Sequence, residues 1–486
     1  MIGLLIQDNA YEQDIRELLM SFYPGETYAH EVKEGVDFYV QTRLEDGEAV
    51  IGIWEKLENG EELEGWTLTA HSTGKADLSD HSATKNVIKK LFYQMLVKRT
   101  GHELPWGSLT GIRPTKIALS RLEDGWKEED IRKFMKETYM TSDEKINLSI
   151  EIAAREKRLL EPLDYDRGYS LYVGIPFCPT TCLYCSFTSY PISKWKGRTG
   201  LYLEALFKEL EYTAEKMKGR PLDTIYFGGG TPTSLPAEDI DAILCKLEQL
   251  FDTKNALEFT VEAGRPDSIT EEKLKVLASH GISRISINPQ TMNQKTLDLI
   301  GRRHTVENVK EKFHMARALG FDNINMDLIM GLPGEDLDDV KHTLEEIEAL
   351  KPDSLTVHSL AIKRAARLNM FKEEYADLKI SNTPEMIALS EACARRMGME
   401  PYYLYRQKNM AGNFENVGYS LPGKACIYNI LIMEEMQTIA ACGAGTTTKV
   451  VFPSENRRER CENVKEVEQY ISRIDEMIGR KEKIIH

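Results

Sequence analysis

From Tyr169 to Leu360 short apolar runs alternate with longer amphipathic stretches. A chain patterned this way folds as a parallel sheet wrapped by helices, because a parallel strand can begin only after a crossover long enough to hold a helix. The strand candidates are 170–176 (SLYVGIP), 224–230 (TIYFGGG), 257–263 (LEFTVEA), 284–290 (RISINPQ), 323–331 (NINMDLIMG) and 354–360 (SLTVHSL). Six parallel strands with helical crossovers make an α/β fold, a partial (β/α)6 barrel of TIM-like build. Between the first two strands, Leu203, Leu206, Phe207 and Leu210 recur at helical spacing and are expected to face the core.

In barrels of this kind the chemistry collects where strands end and the following loops begin. Here those ends carry residues that a plain connection does not need: a cysteine cluster, a triple glycine, a glutamate, a glutamine, an aspartate and a basic segment. The chain of 486 residues is too long for one ordinary domain. We divide it into an N-terminal α+β accessory domain (1–165), the barrel (166–400) and a C-terminal extension (401–486). Within the accessory domain the segments MIGLLIQ (1–7) and DFYVQTRL (37–44) read as strands, 87–98 as a helix, and 141–162 as a helix leading into the barrel. The glycine- and proline-containing segment 106–116 reads as a tight connection, with Arg113 and Lys116 at an interface as the functional alternative.

A balance of 62 basic against 77 acidic side chains gives a net charge of -15, which argues against a nucleic-acid partner and requires any anionic substrate to be held by a local group of cations. No apolar run approaches the roughly 20 residues needed to span a bilayer, and the N-terminal stretch has no secretory pattern, so a cytoplasmic protein without membrane attachment is expected.

Eight cysteines in such a chain do not suggest a disulfide scaffold. Cys178, Cys182 and Cys185 stand as C-x3-C-x2-C in GIPFCPTTCLYCSF, directly after the first strand. Three thiolates on one short loop suit three irons of a [4Fe-4S] cubane and leave the fourth iron open. A structural zinc ion takes four protein ligands, and this loop offers no fourth Cys or His. The other five cysteines are scattered; Cys245 and Cys393 fall in helical patterns and read as small buried residues.

This array identifies the chain as similar to the radical S-adenosylmethionine (SAM) superfamily, and the residues around it resemble the oxygen-independent coproporphyrinogen III oxidase family, in particular its HemZ-like branch with an extra N-terminal domain. The resemblance runs from about Gly168 to Gly445. It implies SAM contacts from Tyr172, from Tyr184 inside the cluster loop, from Gly229, Gly230 and Thr231 of GGGTPT, and from Glu262, Gln290, Arg302, Asp327 and Ala361. Glycines let backbone groups approach a ligand closely, a carboxylate accepts from ribose hydroxyls, and a guanidinium holds a carboxylate in bidentate fashion. Tyr184 and Arg302 are the candidate catalytic pair. The match is imperfect after Glu262, where the run is EAGRPD and the proline is displaced from the family frame.

The resemblance further implies one-electron cleavage of SAM to a 5'-deoxyadenosyl radical, hydrogen abstraction from propionate side chains of coproporphyrinogen III, loss of carbon dioxide and formation of the vinyl groups of protoporphyrinogen IX. It also implies up to two bound SAM molecules and an electron donor such as a flavodoxin or ferredoxin. The tetrapyrrole carboxylates call for cations; the candidates are Lys363, Arg364 and Arg367, with Arg406 and Lys408 as a second group. One departure bears on the substrate: the oxidases carry a further cysteine two residues past the cluster, where this chain has Phe187. A haem- or porphyrin-binding chaperone of the HemW type and a radical SAM enzyme that methylates or opens a tetrapyrrole are the rival readings. The Tyr- and Asn-rich stretch 401–420 is expected to close over the barrel mouth, and CGAG at 442–445 to form a turn in which Cys442 is no ligand.

Overall fold

A computed structural model describes residues 1–56, 65–186, 189–363, 366–370, 378–408, 410–455 and 457–485. They form two compact units, Met1–Ala153 with Arg406–Phe414, and Ala154–Tyr405 with Glu415–His486.

The first unit is α+β, as expected. Its strands are β1 (Ile2–Ile6), β2 (Tyr28–Ala29), β3 (Phe38–Glu45), β4 (Glu48–Lys56) and β5 (Trp66–Lys75), in the order β2-β1-β3-β4-β5. The β3–β4 hairpin turns on Asp46 and Gly47, both with positive φ, the two-residue turn whose twist matches that of the flanking strands. Helix His81–Thr100 is capped at its start by Asp80, which accepts from Ser82 N and Ala83 N, and stops at Gly101 in the left-handed region. Its Ile88, Phe92 and Leu96 are buried with Ile15, Leu18 and Leu19 of helix Glu12–Phe22 and Val40, Ile51 and Ile53 of the sheet. Segment 106–116 is the tight connection anticipated: Gly107 has a φ of 55°, and a Cβ there would lie 2.1 Å from the Tyr139 carbonyl oxygen.

The second unit holds an eleven-stranded sheet and a two-stranded ribbon. Its strands are β6 (Tyr169–Ile175), β7 (Phe177–Cys178), β8 (Tyr190–Pro191), β9 (Leu222–Gly229), β10 (Glu258–Gly264), β11 (Arg284–Ile287), β12 (Ile324–Met330), β13 (Ser354–Ser359), β14 (Glu400–Tyr405), β15 (Asn416–Ser420), β16 (Thr438–Cys442), β17 (Thr447–Phe452) and β18 (Arg457–Glu462). The large sheet runs β14-β15-β13-β12-β11-β10-β9-β6-β16-β17-β18, and β7 pairs with β8. All six strands read from the sequence are present and parallel to one another. A seventh parallel strand, β16, joins the free edge of β6 with Ala441 opposite Tyr172. Among the described residues no pairing closes β14 onto β18.

Two expectations are corrected here. The C-terminal extension, 401–486, expected as a cover for the barrel mouth, instead supplies β16, β17 and β18, which extend the same sheet beyond β6. Nor is 401–420 one continuous cover: half of it supplies β14 and β15, antiparallel strands beyond β13, while Arg406–Phe414 belongs to the first unit.

Successive side chains of a strand point to opposite faces. One face of the parallel strands presents Leu171, Val173, Ile225, Phe227, Val261, Ile285, Met326 and Leu328, all buried, beneath helices such as Thr199–Lys216, whose Leu203, Leu206 and Leu210 are also buried. The alternate residues are polar: Tyr172, Tyr226, Thr260, Glu262, Asn325, Asp327, Thr356 and His358. A parallel sheet covered on both sides ordinarily presents apolar residues on both, so this polar inner face marks where the molecule is built for something other than packing.

Candidate active site

The cysteine loop leaves β6 through β7, which places Cys178 at the end of the first barrel strand. Four hydrogen bonds to three other segments pin it. Leu183 N donates to Ile300 O (3.0 Å), Thr180 Oγ1 to Gly301 O (3.0 Å), Leu368 N to Leu183 O (3.0 Å), and Arg265 Nη1 to Thr180 O (3.0 Å). The triple glycine after β9 packs against the same loop. Gly230 N donates to Ile175 O (2.6 Å), Thr231 N to Phe177 O (2.7 Å), and Thr231 Oγ1 lies 3.5 Å from Cys178 Sγ. The glycines are required by the space available: a Cβ on Gly230 would lie 2.5 Å from Phe177 O and 3.0 Å from Cys178 Sγ.

Among the described residues, the His, Cys and carboxylate ligand atoms gathered within 4.8 Å of one another belong to Asp241, Cys245 and His280, away from this loop in sequence. The three loop thiols are not gathered so closely, whereas thiolates on a single tetrahedral ion with metal–sulfur bonds of about 2.3 Å would be. Their spacing and their number suit a cluster that holds each thiolate on its own iron. Burial pushes the Cys178 thiol up to about 11 despite the hydrogen bond from Thr231, so loading iron displaces a proton there.

The remaining predicted residues line the inner face in a connected series. Tyr172 on β6 stacks with Tyr226 on β9 (ring centroids 6.0 Å) and with Tyr428 (6.1 Å). Tyr226 OH donates to Glu262 Oε1 on β10 at 2.6 Å. Burial is the main force pushing the Glu262 carboxyl up to about 7; Asp327 adds to it and the Tyr226 hydrogen bond opposes it. Asp327 on β12 accepts from Asn325 Nδ2 (2.7 Å) and lies 3.9 Å from His358 Nε2; burial raises its carboxyl, but these partners outweigh burial and hold it below its usual value. Gln290 has a φ of 71°, and its backbone bridges to β12, N to Asp327 O (2.9 Å) and O from Ile329 N (3.0 Å). Arg302 is buried, donates to Asn288 O, and hydrogen-bonds both Cys182 and Tyr184. Ala361 follows β13 and is half-buried. Lys363, half-buried as well, feels the Cys185 thiol; burial lowers its ammonium below the usual lysine value.

The residues present fit a polar ligand beside the cysteines. Arg302 Nε, Gln290 Oε1 and Asn288 Oδ1 are buried without a hydrogen-bond partner in the protein. Buried polar atoms without a partner occur elsewhere in the protein too, but these three stand at or near Arg302, which bonds both Asn288 O and Cys182, and their donor and acceptors suit the carboxylate, ammonium and hydroxyl groups that SAM carries.

Other residues singled out from the sequence lie away from this site or outside the described residues. Phe187 and Arg364 lie outside the described residues. Arg406 is used in the first unit: it donates to Leu109 O (2.5 Å) and Asn413 Oδ1 (2.7 Å), lies over the Trp106 ring, and is buried; Lys408 pairs there with Glu17 (2.6 Å). Cys442 is buried against Thr213 Oγ1 (3.2 Å) and is no member of the cluster loop. Sequence reasoning passed over Tyr226, Asn288 and Arg265. The last of these stands in EAGRPD, the run singled out as departing from the family frame.

The radical SAM superfamily matches residues 172–347. The oxygen-independent coproporphyrinogen-III oxidase-like protein HemZ of Bacillus subtilis is 40% identical over 489 residues, covering 99% of this chain and 96% of that protein. The heme chaperone HemW of the same organism is 38% identical over 195 residues, 40% of this chain and 51% of its own length. Among solved structures, the coproporphyrinogen III oxidase HemN from Escherichia coli, described as a radical SAM enzyme, superposes with a TM-score of 0.52 at 24% identity over 65% of this chain and 71% of HemN, a likeness of fold. With a relative matched along nearly its whole length, the chain belongs to the radical SAM superfamily and, within it, to the oxygen-independent coproporphyrinogen III oxidase-like family of HemZ.

Proposed function

We propose that this chain oxidatively decarboxylates propionate side chains of coproporphyrinogen III to vinyl groups, giving protoporphyrinogen IX. The observation that carries the reading is the set of buried, unpartnered polar atoms on Arg302, Gln290 and Asn288 beside the three-cysteine loop, in a chain 40% identical along its length to an oxidase-like protein. Each propionate, –CH2–CH2–COO⁻, loses one hydrogen atom, carbon dioxide and one electron to become –CH=CH2. When bound, the cluster and SAM supply the one-electron cleavage that takes the hydrogen atom.

The chain's own residues bind and orient. Cys178, Cys182 and Cys185 hold three irons. Gly229, Gly230 and Thr231 bring backbone groups close to the amino acid end of SAM, and Arg302 offers its open Nε–H to the carboxylate. Glu262, Gln290 and Asp327 take the hydroxyl and ammonium groups, while Tyr226, stacked with Tyr172 and Tyr428, holds the Glu262 carboxyl in place. Tyr184, inside the cluster loop, hydrogen-bonds Arg302 and ties it to that loop. Lys363, which feels the Cys185 thiol, is assigned to a propionate.

The pKa of about 7 at Glu262 has a measurable consequence. The ionised carboxylate is the better acceptor for ribose hydroxyls, so SAM binding draws the group toward its charged form and releases a proton. Affinity is expected to rise from pH 6 to pH 8 and to level off above about 7. Calorimetry across that range in buffers of different ionisation enthalpy reads both the affinity and the proton, and Glu262→Gln should bind more weakly, by about tenfold, the effect of one lost charge-assisted bond of roughly 1.5 kcal/mol, with the slope gone. A slope that survives in the variant assigns the proton to another group.

A haem-binding chaperone is the second reading, favoured by the 38% identity to HemW over 195 residues. The two separate cleanly when anaerobically reconstituted protein receives dithionite, SAM and coproporphyrinogen III and the products are weighed by mass spectrometry. Loss of two carbon dioxide molecules with formation of 5'-deoxyadenosine supports the decarboxylase; tight haem binding without turnover supports the chaperone.

A further inference from the structure

Arg265 follows β10 and is 3% exposed. All three of its nitrogens are engaged. Nε and Nη2 donate to the two oxygens of Asp267 (3.0 and 2.7 Å), and Nη1 donates to Thr180 O (3.0 Å), to Thr180 Oγ1 (2.8 Å) and toward Cys182 Sγ (3.6 Å). Arg302 reaches the same thiol. The three cysteines are therefore unequally served. Cys178 bonds a neutral hydroxyl, that of Thr231, and feels Arg265 only through space, Cys185 feels the ammonium of Lys363, and Cys182 is hydrogen-bonded by two guanidinium groups. A surface ion pair needs neither this burial nor a contact to sulfur, and a residue present only to fix the loop needs no carboxylate to steer it.

The geometry points to Arg265 as a positioning residue that sets the reduction potential of the cluster through the Cys182 corner, with Asp267 holding the guanidinium aimed at the thiolate and partly cancelling its charge. Reduction adds one electron from a low-potential donor and no proton, so the negative charge held by the loop rises by one. Hydrogen bonds to cluster sulfurs and nearby positive charge stabilise that state and raise the potential. The planar fork bridges the carboxylate, the Thr180 carbonyl and the sulfur at once, which an ammonium does not do.

The test is a redox titration of the reconstituted full chain followed by electron paramagnetic resonance, with iron and sulfide assayed in each sample. It does not depend on which tetrapyrrole the chain acts upon. Arg265→Gln should lower the reduced-to-oxidised ratio at a fixed poise by about tenfold, equivalent to about 59 mV for a one-electron couple. Arg265→Lys should shift it in the same direction by less, since charge remains and the fork is lost. Asp267→Asn should move the midpoint the opposite way, because it unmasks the guanidinium. Opposite signs cannot come from loosening of the loop, which moves both variants alike. An Arg265→Gln protein with full iron and an unchanged midpoint overturns the assignment, as does an Asp267→Asn protein whose midpoint stays put or follows that of Arg265→Gln; should Arg265→Gln hold no iron, the sign of the Asp267→Asn shift decides.

Discussion

Gly230→Ala is expected to leave the chain folded while the cluster is misplaced and SAM cleavage falls by about 100-fold, the size of loss that an error of about 1 Å in a reacting geometry produces. The new methyl would lie 2.5 Å from Phe177 O and 3.0 Å from Cys178 Sγ. The first of these is backbone, so a side-chain rotation cannot relieve it. β7 must move away, and it carries Cys178 with it, stretching the bonds from Gly230 N to Ile175 O and from Thr231 N to Phe177 O. No cluster ligand has been altered, which separates this effect from removal of a thiolate. Gly200→Ala, where nothing lies within 4 Å of the added carbon, is the control and should match the parent in iron content, SAM cleavage and melting. Full iron and parental cleavage in Gly230→Ala would mean that the glycine loop and the cysteine loop are not packed as tightly as described.

This pair of loops also shows what a sequence can disclose. The cysteine array and the triple glycine are local patterns whose chemistry is written in a few consecutive residues, and both were legible. So were six parallel strands, because each is a short apolar run closed by turn residues. Gln290, Arg302 and Asp327 could be named through the family resemblance, but their convergence depends on parallel register, with the Gln290 backbone bridging to β12. The strand β16 was not legible: TIAAC is five residues long, and its partner β6 lies far back in the chain, with Thr438 opposite Tyr169. Nothing local announces so distant a pairing. The stretch 401–420 misled for a related reason. Its tyrosines suggested a surface for a ring substrate, yet Tyr402 and Tyr403 are buried on β14, aromatic residues serving strand packing as they commonly do. Arg265 was visible only as a disturbance of a family pattern, since its bonds to Thr180 and Cys182 cross about eighty residues of chain.

Lys481→Met should lower the stability of the second unit by about 3–5 kcal/mol, the cost of leaving a buried charge without its partner. Lys481 is 1% exposed and Glu209 0%, with Nζ 2.7 Å from Oε1. Burial alone would depress the Lys481 ammonium; Cys442 and Glu209 outweigh it, and the pKa lies above the usual lysine value. Glu209 is the centre of the arrangement. It accepts from Gly443 N (2.7 Å), Asn463 Nδ2 (2.7 Å) and Tyr470 OH (2.5 Å), so helix Thr199–Lys216 gathers β16, the hairpin β17–β18 and the two last helices onto itself. The same place supports the end of β6. A Cβ on Gly443 would lie 2.4 Å from Gly174 O, and Tyr202 OH donates to that oxygen at 2.7 Å while its ring meets Phe177 edge-on at 5.4 Å. Loss of the lysine therefore loosens the strand that delivers Cys178, and iron retention at moderate urea should fail before the second unit unfolds. Urea titration of the iron-free chain reads the stability. The double variant Glu209→Gln with Lys481→Met should recover most of the loss, because a neutral amide leaves no stranded charge while keeping an acceptor for Gly443 N. Losses that simply add in the double variant would show that the two side chains act separately, and that the hairpin is held by its apolar contacts instead.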